Sequence, residues 1–211
     1  MIKVARKISK TSRTCSRPNP YTHKGKKRIK LESQLEMDGM MHLELNKDVV
    51  SFKEQPFSFM YEFDGKQRRY TPDFLVKYRS GQYESQEIKP SYEAINPKFI
   101  AKFARLSEVF NQIIGHPLKL MTSDEIRKGH TISNLRNLYR FIQMPFSESL
   151  VSTGLATFKE GELVSLDDAI SMMSMCEMPQ RNVMQLIAHS HFQFDKSVLL
   201  QGSTPLVWVG E

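Results

Sequence analysis

The sequence is poor in cysteine and has no long apolar run. Its 211 residues include two cysteines, Cys15 and Cys176, which are far apart and lie in no CxxC pair. This pattern argues against a disulfide framework and against a structural zinc site. A run of about 18 apolar residues, the length needed to cross a bilayer, is also missing. We therefore expect a soluble protein of a reducing, cytoplasmic compartment, with no membrane partner.

Acidic residues are missing from the first 30 positions, which carry eleven Lys or Arg and a net charge of +11. Residues 31–145 carry +1 and residues 146–211 carry −5, so the overall charge of +7 comes from one basic arm. Such an arm is expected to be mobile and to bind phosphates without reading bases, although solvated tails and transit peptides share its composition. Its candidate DNA-binding residues are Lys24, Lys26, Lys27, Arg28 and Lys30.

Turn residues divide the segment 31–145 into the elements of an α/β domain. Apolar spacing predicts a helix over about 31–45, and alternating residues then predict strands on either side of Asp64-Gly65, a strong hairpin signal. The second strand runs to about residue 77, with a break near Pro72, and Ser80-Gly81 turns the chain into a third strand.

A longer helix follows the strands. Asn96-Pro97 is typical of an N-cap followed by proline in the first turn. Apolar residues at helical spacing then predict one buried stripe made of Phe99, Phe103, Leu106, Phe110 and Ile113. A short apolar strand around residues 118–121 completes the order helix, three strands, helix, strand.

A candidate catalytic group lies in the stretch YTPDFLVKYRSGQYESQEIKP. Alternate side chains of a strand share one face, so Glu87 and Lys89 project together. Pairing of the second and third strands would place Asp73 beside Glu87, and two adjacent carboxylates repel each other unless they share a cation. Magnesium commonly takes one or two protein carboxylates, and a nearby lysine can orient or deprotonate water or neutralise a phosphate. An ordinary surface ladder fits the same spacing.

Motif and element order together resemble the PD-(D/E)xK nucleases, whose core is the restriction-endonuclease-like αβββαβ fold. With its flanks SQLEMDG, VVSFKEQP and QEIKP, the sequence is similar to the N-terminal catalytic domain of TnsA, the endonuclease subunit of heteromeric Tn-seven-like transposases. The resemblance covers roughly residues 25–125 and rests on four linked motifs.

The resemblance implies a set of site residues. Glu36, Asp73 and Glu87 are implied as catalytic metal ligands, Lys89 as the motif lysine, and Mg²⁺ as the cofactor, with Mn²⁺ as a substitute. The stretch Ser33-Gln34-Leu35-Glu36 is also a capping-box pattern, and spacing alone favours that structural role for Glu36. Glu32, one turn earlier, is a second choice on the same helix face.

The resemblance also implies a function in cut-and-paste DNA transposition. Such a nuclease cleaves the 5′, non-transferred strands of double-stranded DNA at transposon ends in the bacterial nucleoid. Its partners are a TnsB-type transposase, which cuts and joins the 3′ ends, and a TnsC-type AAA+ regulator. A stand-alone restriction or repair nuclease and a non-catalytic DNA-binding adaptor are the alternatives.

The acidic segment 146–211 is expected to form a small winged-helix-like domain. Ser165 and Pro179 predict the starts of two helices, and short strands are expected over about 192–194, 197–200 and 205–209. Because its net charge is negative, we expect this domain to bind protein rather than DNA. His189 and His191 have no third metal ligand nearby in the sequence and are interpreted as structural.

Overall fold

The computed structural model describes residues 17–210. The first 16 residues of the basic arm, Cys15 among them, and residue 211 lie outside the described residues. The described chain divides into two compact units, residues 17–44 with 48–126 and residues 45–47 with 127–210. In the structure the division between the units lies after Ile126, whereas the sequence analysis placed a domain boundary after residue 145, because the helix over Thr131–Ile142 packs inside the second unit.

The first unit alternates short strands with helices. In chain order its elements are β1 (Tyr21–Thr22), β2 (Lys27–Arg28), α1 (Gln34–Glu44), β3 (Val49–Glu54), β4 (Phe59–Phe63), β5 (Lys66–Tyr70), β6 (Phe74–Tyr78), β7 (Tyr83–Lys89), α2 (Ser91–Ala94), α3 (Pro97–Val109), β8 (Leu118–Thr122) and α4 (Ser123–Ile126). A π-helical turn over Phe110–Ile114 continues α3.

The main sheet has the strand order β3-β6-β7-β8, in which β7 and β8 are parallel and the other pairs are antiparallel. Taken with α1 and α3, these strands give the predicted order αβββαβ. The first strand of the sheet is β3, whereas the hairpin strand β4 was predicted in that place. The predicted second strand is in fact two strands, β5 and β6, and they belong to different sheets. Pro72 lies in the break between them, as expected from its missing N–H.

The hairpin β4–β5 packs against α3 through aromatic side chains. Its tight turn at Asp64-Gly65 has positive φ at both residues, as the sequence indicated. Phe59 and Tyr70 of the hairpin contact Phe110 edge to face, with ring centroids 5.6 and 6.1 Å apart. This packing fixes the end of β5, where Tyr70 and Arg69 lie.

Helix α3 begins as predicted, because the Asn96 side chain accepts a hydrogen bond from Lys98 N. Its apolar stripe is only partly buried. Leu106 is 1% exposed, whereas Ile113, predicted on the same stripe, is 73% exposed. The π-helical turn accounts for this, because its wider spacing shifts the 3.6-residue periodicity.

Residues 17–30 form part of the first unit. Strands β1 and β2 pair as an antiparallel hairpin, and the adjoining Ile29 and Leu31 are each 1% exposed. The mobile arm predicted over residues 1–30 is therefore wrong for these residues, since burial of Ile29 and Leu31 anchors them.

The second unit contains α5 (Thr131–Ile142), α6 (Glu148–Thr157), β9 (Leu163–Ser165), α7 (Leu166–Met175), α8 (Gln180–Ala188), β10 (Phe192–Gln193) and β11 (Pro205–Trp208). The three strands form an antiparallel sheet in the order β10-β11-β9. A strand predicted over 197–200 is not formed, since the side chain of Asn134 bonds the backbone of this segment instead. Between residues 17 and 210, no helix has both the length and the apolar character needed to cross a membrane.

Candidate active site

Asp73 and Glu87 lie side by side on neighbouring strands. In the antiparallel register of β6 and β7, the last pair is Phe74 with Gln86; Asp73 comes directly before Phe74, and Glu87 follows Gln86. The backbone N–H of Asp73 donates to Gln86 O at 3.0 Å, and Asp73 Oδ2 accepts from Ile88 N at 2.7 Å. The strand pairing therefore fixes the first of the predicted contacts.

The surroundings of Asp73 disfavour its charged form. Burial raises its pKa well above the usual value, and the nearby charges of Glu87 and Glu36 raise it further. The hydrogen bond from Ile88 N and the charge of Lys89 act in the opposite direction but do not reverse the shift. An acidic group in this state is stabilised by any additional positive charge in the cleft.

Lys89 lies on the same strand face as Glu87, as predicted. Its Nζ is 3.1 Å from Glu87 Oε1, and the Glu87 side chain is 6% exposed. Burial alone would lower the pKa of Lys89, but the carboxylates of Glu87 and Asp73 more than compensate and raise it. Lys89 is therefore a cation at neutral pH.

Tyr70 holds the other oxygen of Glu87. Its hydroxyl donates to Glu87 Oε2 at 2.7 Å, and its side chain is 5% exposed. Burial raises the pKa of Tyr70 well above the usual value, and the charge of Glu87 adds to the shift. Tyr70 thus stays protonated and fixes the orientation of Glu87. Its distance in sequence and the intervening turn hid this contact from the sequence analysis.

Glu36 closes a capping box at the start of α1. Its Oε2 accepts from Glu32 N at 2.8 Å and its Oε1 from Ser33 Oγ at 3.0 Å, while Glu36 N donates back to Ser33 Oγ. Burial raises the pKa of Glu36 despite these bonds. The structural role that spacing favoured is thus present. The Glu36 carboxylate acts on Asp73 through its charge, but both of its oxygens are engaged at the cap.

The predicted three-carboxylate metal cluster is not assembled. In residues 17–210 no group of three or more His, Cys, Asp or Glu side chains is placed to hold a metal ion. The reason lies with Glu36, whose carboxylate is directed to the helix cap. Asp73 and Glu87 nevertheless fit a hard divalent cation, because they are adjacent oxygen donors, and burial together with the charges of Glu87 and Glu36 raises the pKa of Asp73.

The site opens into a cleft of about 390 Å³. Besides Asp73, Glu87, Lys89 and Tyr70, the residues lining it are Glu32, Gln55, Arg69, Thr71 and Lys102. The sequence analysis missed Gln55, Arg69 and Lys102 as site residues. Lys98 and Lys102 lie four residues apart on α3, and this pair of basic residues was the signal that could have identified Lys102.

The segment that carries Asp73, Glu87 and Lys89 matches a known family of proteins. Residues 46–123 match the model of the TnsA-like endonuclease N-terminal domain. This part of the chain is similar to a TnsA-like endonuclease domain. The match includes Asp73, Glu87, Lys89, Gln55, Arg69 and Lys102, but it leaves out Glu36, α1 and nearly all of the second unit. No curated protein matches the chain.

Outside the matched segment, the basic residues of the β1–β2 hairpin differ in what they contact. Lys26, Lys27, Arg28 and Lys30 are exposed, and Lys27 pairs with Glu54 at 3.2 Å. Lys24 is less exposed, because its Nζ donates to Leu43 O at 2.9 Å near the end of α1. Of the predicted DNA-binding residues, Lys24 therefore has a structural contact that the sequence did not reveal.

In the second unit, the two histidines interpreted as structural pack against an aromatic ring. Their rings stack on Phe146, with centroids 3.9 Å away for His189 and 5.6 Å for His191. Helix α8 also differs from an exposed DNA-reading helix. Its residues 183–188 are all buried, and α5 packs against it.

Proposed function

We propose that the chain is a metal-dependent DNA endonuclease that hydrolyses one phosphodiester bond with an activated water. One observation carries the proposal: Asp73, Glu87 and Lys89 meet in a cleft inside the segment that matches the TnsA-like endonuclease domain. The raised pKa of Asp73 supports a site that takes up positive charge.

Asp73 and Glu87 would hold Mg²⁺, for which Mn²⁺ is a chemical substitute. Such a cation, when bound, lowers the pKa of water and stabilises negative charge on a phosphate. Tyr70 keeps Glu87 in position through its hydroxyl. Lys89, a cation at neutral pH, stabilises the charge that develops on the phosphate and donates hydrogen bonds to it rather than acting as a base.

Glu36 is a proposed third ligand on the basis of the resemblance alone. Its carboxylate would have to leave the N–H of Glu32 and the hydroxyl of Ser33 to reach a shared cation. Its charge already acts on Asp73, which supports its proximity to the site.

The biological reaction that we propose is cleavage of the 5′, non-transferred strands at transposon ends during cut-and-paste transposition. The TnsA-like match supports a transposition system. On this proposal a TnsB-type transposase processes the 3′ ends, and a TnsC-type AAA+ protein regulates the assembly on DNA. The bacterial nucleoid is the corresponding location.

We also propose that the second unit is a winged-helix-like module for protein contacts. Helices α6, α7 and α8 with the sheet β10-β11-β9 have the order of such a module. Burial of α8 along residues 183–188 supports a protein-binding role, because a helix covered on its faces cannot enter a DNA groove.

Cleavage of labelled transposon-end DNA in Mg²⁺ tests the proposal, with and without the partner transposase. Asp73→Asn and Glu87→Gln should each abolish cleavage while sparing the partner interaction. Either variant cutting at the wild-type rate would refute the assignment. Cutting of free DNA without any partner would favour the stand-alone nuclease.

A non-catalytic adaptor is favoured by one observation, the capped carboxylate of Glu36. Titration calorimetry with Mg²⁺ or Mn²⁺ distinguishes the two functions. The endonuclease proposal requires heat of binding that disappears in Asp73→Asn, whereas a vestigial site gives no heat that depends on Asp73 and Glu87.

A further inference from the structure

Three side chains of the cleft have no part in the carboxylate and lysine group described above. They are Gln55, which follows β3, Arg69 at the end of β5, and Lys102 on α3. All three line the same cleft as Asp73 and Glu87. Their chemistry, two cations and an amide, is that of groups that bind phosphate oxygens.

The charges of Arg69 and Lys102 are not compensated by acids of the described chain. Arg69 Nη2 donates to the neutral hydroxyl of Ser58 at 3.1 Å. Lys102 Nζ lies over the ring of Tyr70, 5.8 Å from its centroid. Neither contact neutralises a positive charge, and between residues 17 and 210 neither side chain has an ion-pair partner.

Other basic residues of the same unit show the contrast. Lys27 pairs with Glu54, and Arg105 pairs with Glu108 at 2.9 Å. In the cleft, Lys89 pairs with Glu87. Uncompensated cations beside two carboxylates are expected where a polyanion must approach an acidic site, because the carboxylates alone would repel it.

Gln55 provides an independent observation. Gln55 is 9% exposed, and its Oε1 is buried with no hydrogen-bond partner among the described residues. Its backbone is in the left-handed region, with φ of 39°, and its N–H donates to Asp73 O at 2.9 Å. A non-glycine residue there costs free energy, and a buried carbonyl oxygen without a partner costs more, so the fold retains both at the cleft against stability.

We infer that Gln55, Arg69 and Lys102 form a phosphate-binding set that holds the DNA backbone next to the scissile bond. This inference rests on the proposed endonuclease function. Arg69 and Lys102 each take one backbone phosphate, and Gln55, whose unpartnered Oε1 accepts but cannot donate, binds a phosphate oxygen through Nε2 of the same amide. The set binds any sequence, because phosphates carry no base information.

The test measures affinity of the full chain for a fluorescent DNA duplex in EDTA, over a series of salt concentrations, so that no cleavage intervenes. Arg69→Ala and Lys102→Ala should each weaken binding roughly five- to tenfold at 0.1 M salt and reduce the salt slope by about 1. Gln55→Met should weaken binding roughly threefold without changing the slope, because it removes a neutral donor.

Matched controls lie beside each cation. Arg68→Ala removes a charge from the same strand, where Arg68 contacts the Phe63 carbonyl and ring instead of the cleft. Lys98→Ala removes a charge one turn earlier on α3, away from the cleft lining. Both controls should bind more tightly than Arg69→Ala and Lys102→Ala. Lys102→Arg should restore binding.

Equal losses in the controls and the cleft variants would overturn the inference, as would a wild-type protein that binds no duplex. Failure of the proposed function looks different. A wild-type protein that binds through Arg69 and Lys102 but cuts no DNA in Mg²⁺ or Mn²⁺ keeps the phosphate-binding set and loses the endonuclease. If cleavage occurs and is insensitive to both substitutions, the endonuclease proposal stands and the phosphate-binding set is rejected.

Discussion

Polar groups are buried in both units, but their environments differ. In the second unit, Asn134 is 2% exposed and its amide is fully used: Nδ2 donates to Lys196 O and Val198 O, and Oδ1 accepts from Leu200 N. In the first unit, Asp73 and Glu87 are adjacent carboxylates, and Lys89 Nζ pairs with Glu87. The fold satisfies the amide of Asn134, whereas burial and neighbouring acids disfavour the charged form of Asp73.

This difference separates structural from functional burial. A buried amide with all its partners specifies a loop conformation and stabilises the fold. Adjacent buried carboxylates lower stability, so they persist where binding or catalysis requires them. Removing the amide of Asn134 should therefore lower stability, whereas removing the charge of Asp73 should raise it.

The largest change in stability is expected for Asn134→Ala. It leaves the carbonyls of Lys196 and Val198 and the N–H of Leu200 without their partner, so we expect a loss of about 3 kcal/mol in the free energy of unfolding. Denaturant titration measures this. Asn137→Ala, an exposed position on the same helix, should stay within about 0.5 kcal/mol of wild type. Similar losses in both variants would remove the structural side of the comparison.

A pair of tyrosines sharpens the comparison within the first unit. Tyr70→Phe removes the donor to the buried carboxylate of Glu87 and should cost about 1.5 to 3 kcal/mol. The hydroxyl of Tyr61 is buried without a hydrogen-bond partner among the described residues, so Tyr61→Phe should leave stability unchanged or raise it. Thermal unfolding of both variants tests this. A Tyr61→Phe loss as large as that of Tyr70→Phe would contradict it.

Asp73→Asn should raise stability at neutral pH, on the usual single-substitution scale of about 1 kcal/mol. The folded-state pKa values of Asp73 and Glu36 are raised above those of the unfolded chain. Their contribution to stability is therefore fully present at pH below about 4 and is lost as pH rises through the folded-state values. Melting temperatures in EDTA from pH 4 to 8 should fall less steeply in Asp73→Asn than in wild type.

Asp195 in the second unit is a control, because its pKa is shifted in the direction opposite to that of Asp73. Hydrogen bonds from Ser197 lower its pKa, so its contribution is present at neutral pH and is lost as pH falls. Asp195→Asn should not flatten the decline of stability between pH 4 and 8. If it flattens that decline as much as Asp73→Asn does, the raised pKa of Asp73 is not the cause.

Local signals predicted the parts of the site that depend on strand geometry. Pro72, the turn before β7 and the two-residue spacing of Glu87 and Lys89 were sufficient to bring Asp73, Glu87 and Lys89 together. Contacts over long sequence distances were not predictable, and they include the Tyr70 bond to Glu87 and the position of Lys102. Glu36 shows the remaining limit, because a capping box and a ligand position share one sequence pattern.

The smallest effects are expected in the β1–β2 hairpin, where Lys24 and Lys26 repeat the comparison on one short segment. Lys26 is exposed, so Lys26→Ala should reduce the salt slope of DNA binding by about 1 and leave stability unchanged. Lys24 Nζ bonds Leu43 O near the end of α1 and is only half-buried, so Lys24→Ala should cost about 0.5 kcal/mol. Because a helix carbonyl already holds that ammonium, its loss should change the salt slope less than the loss of Lys26 does.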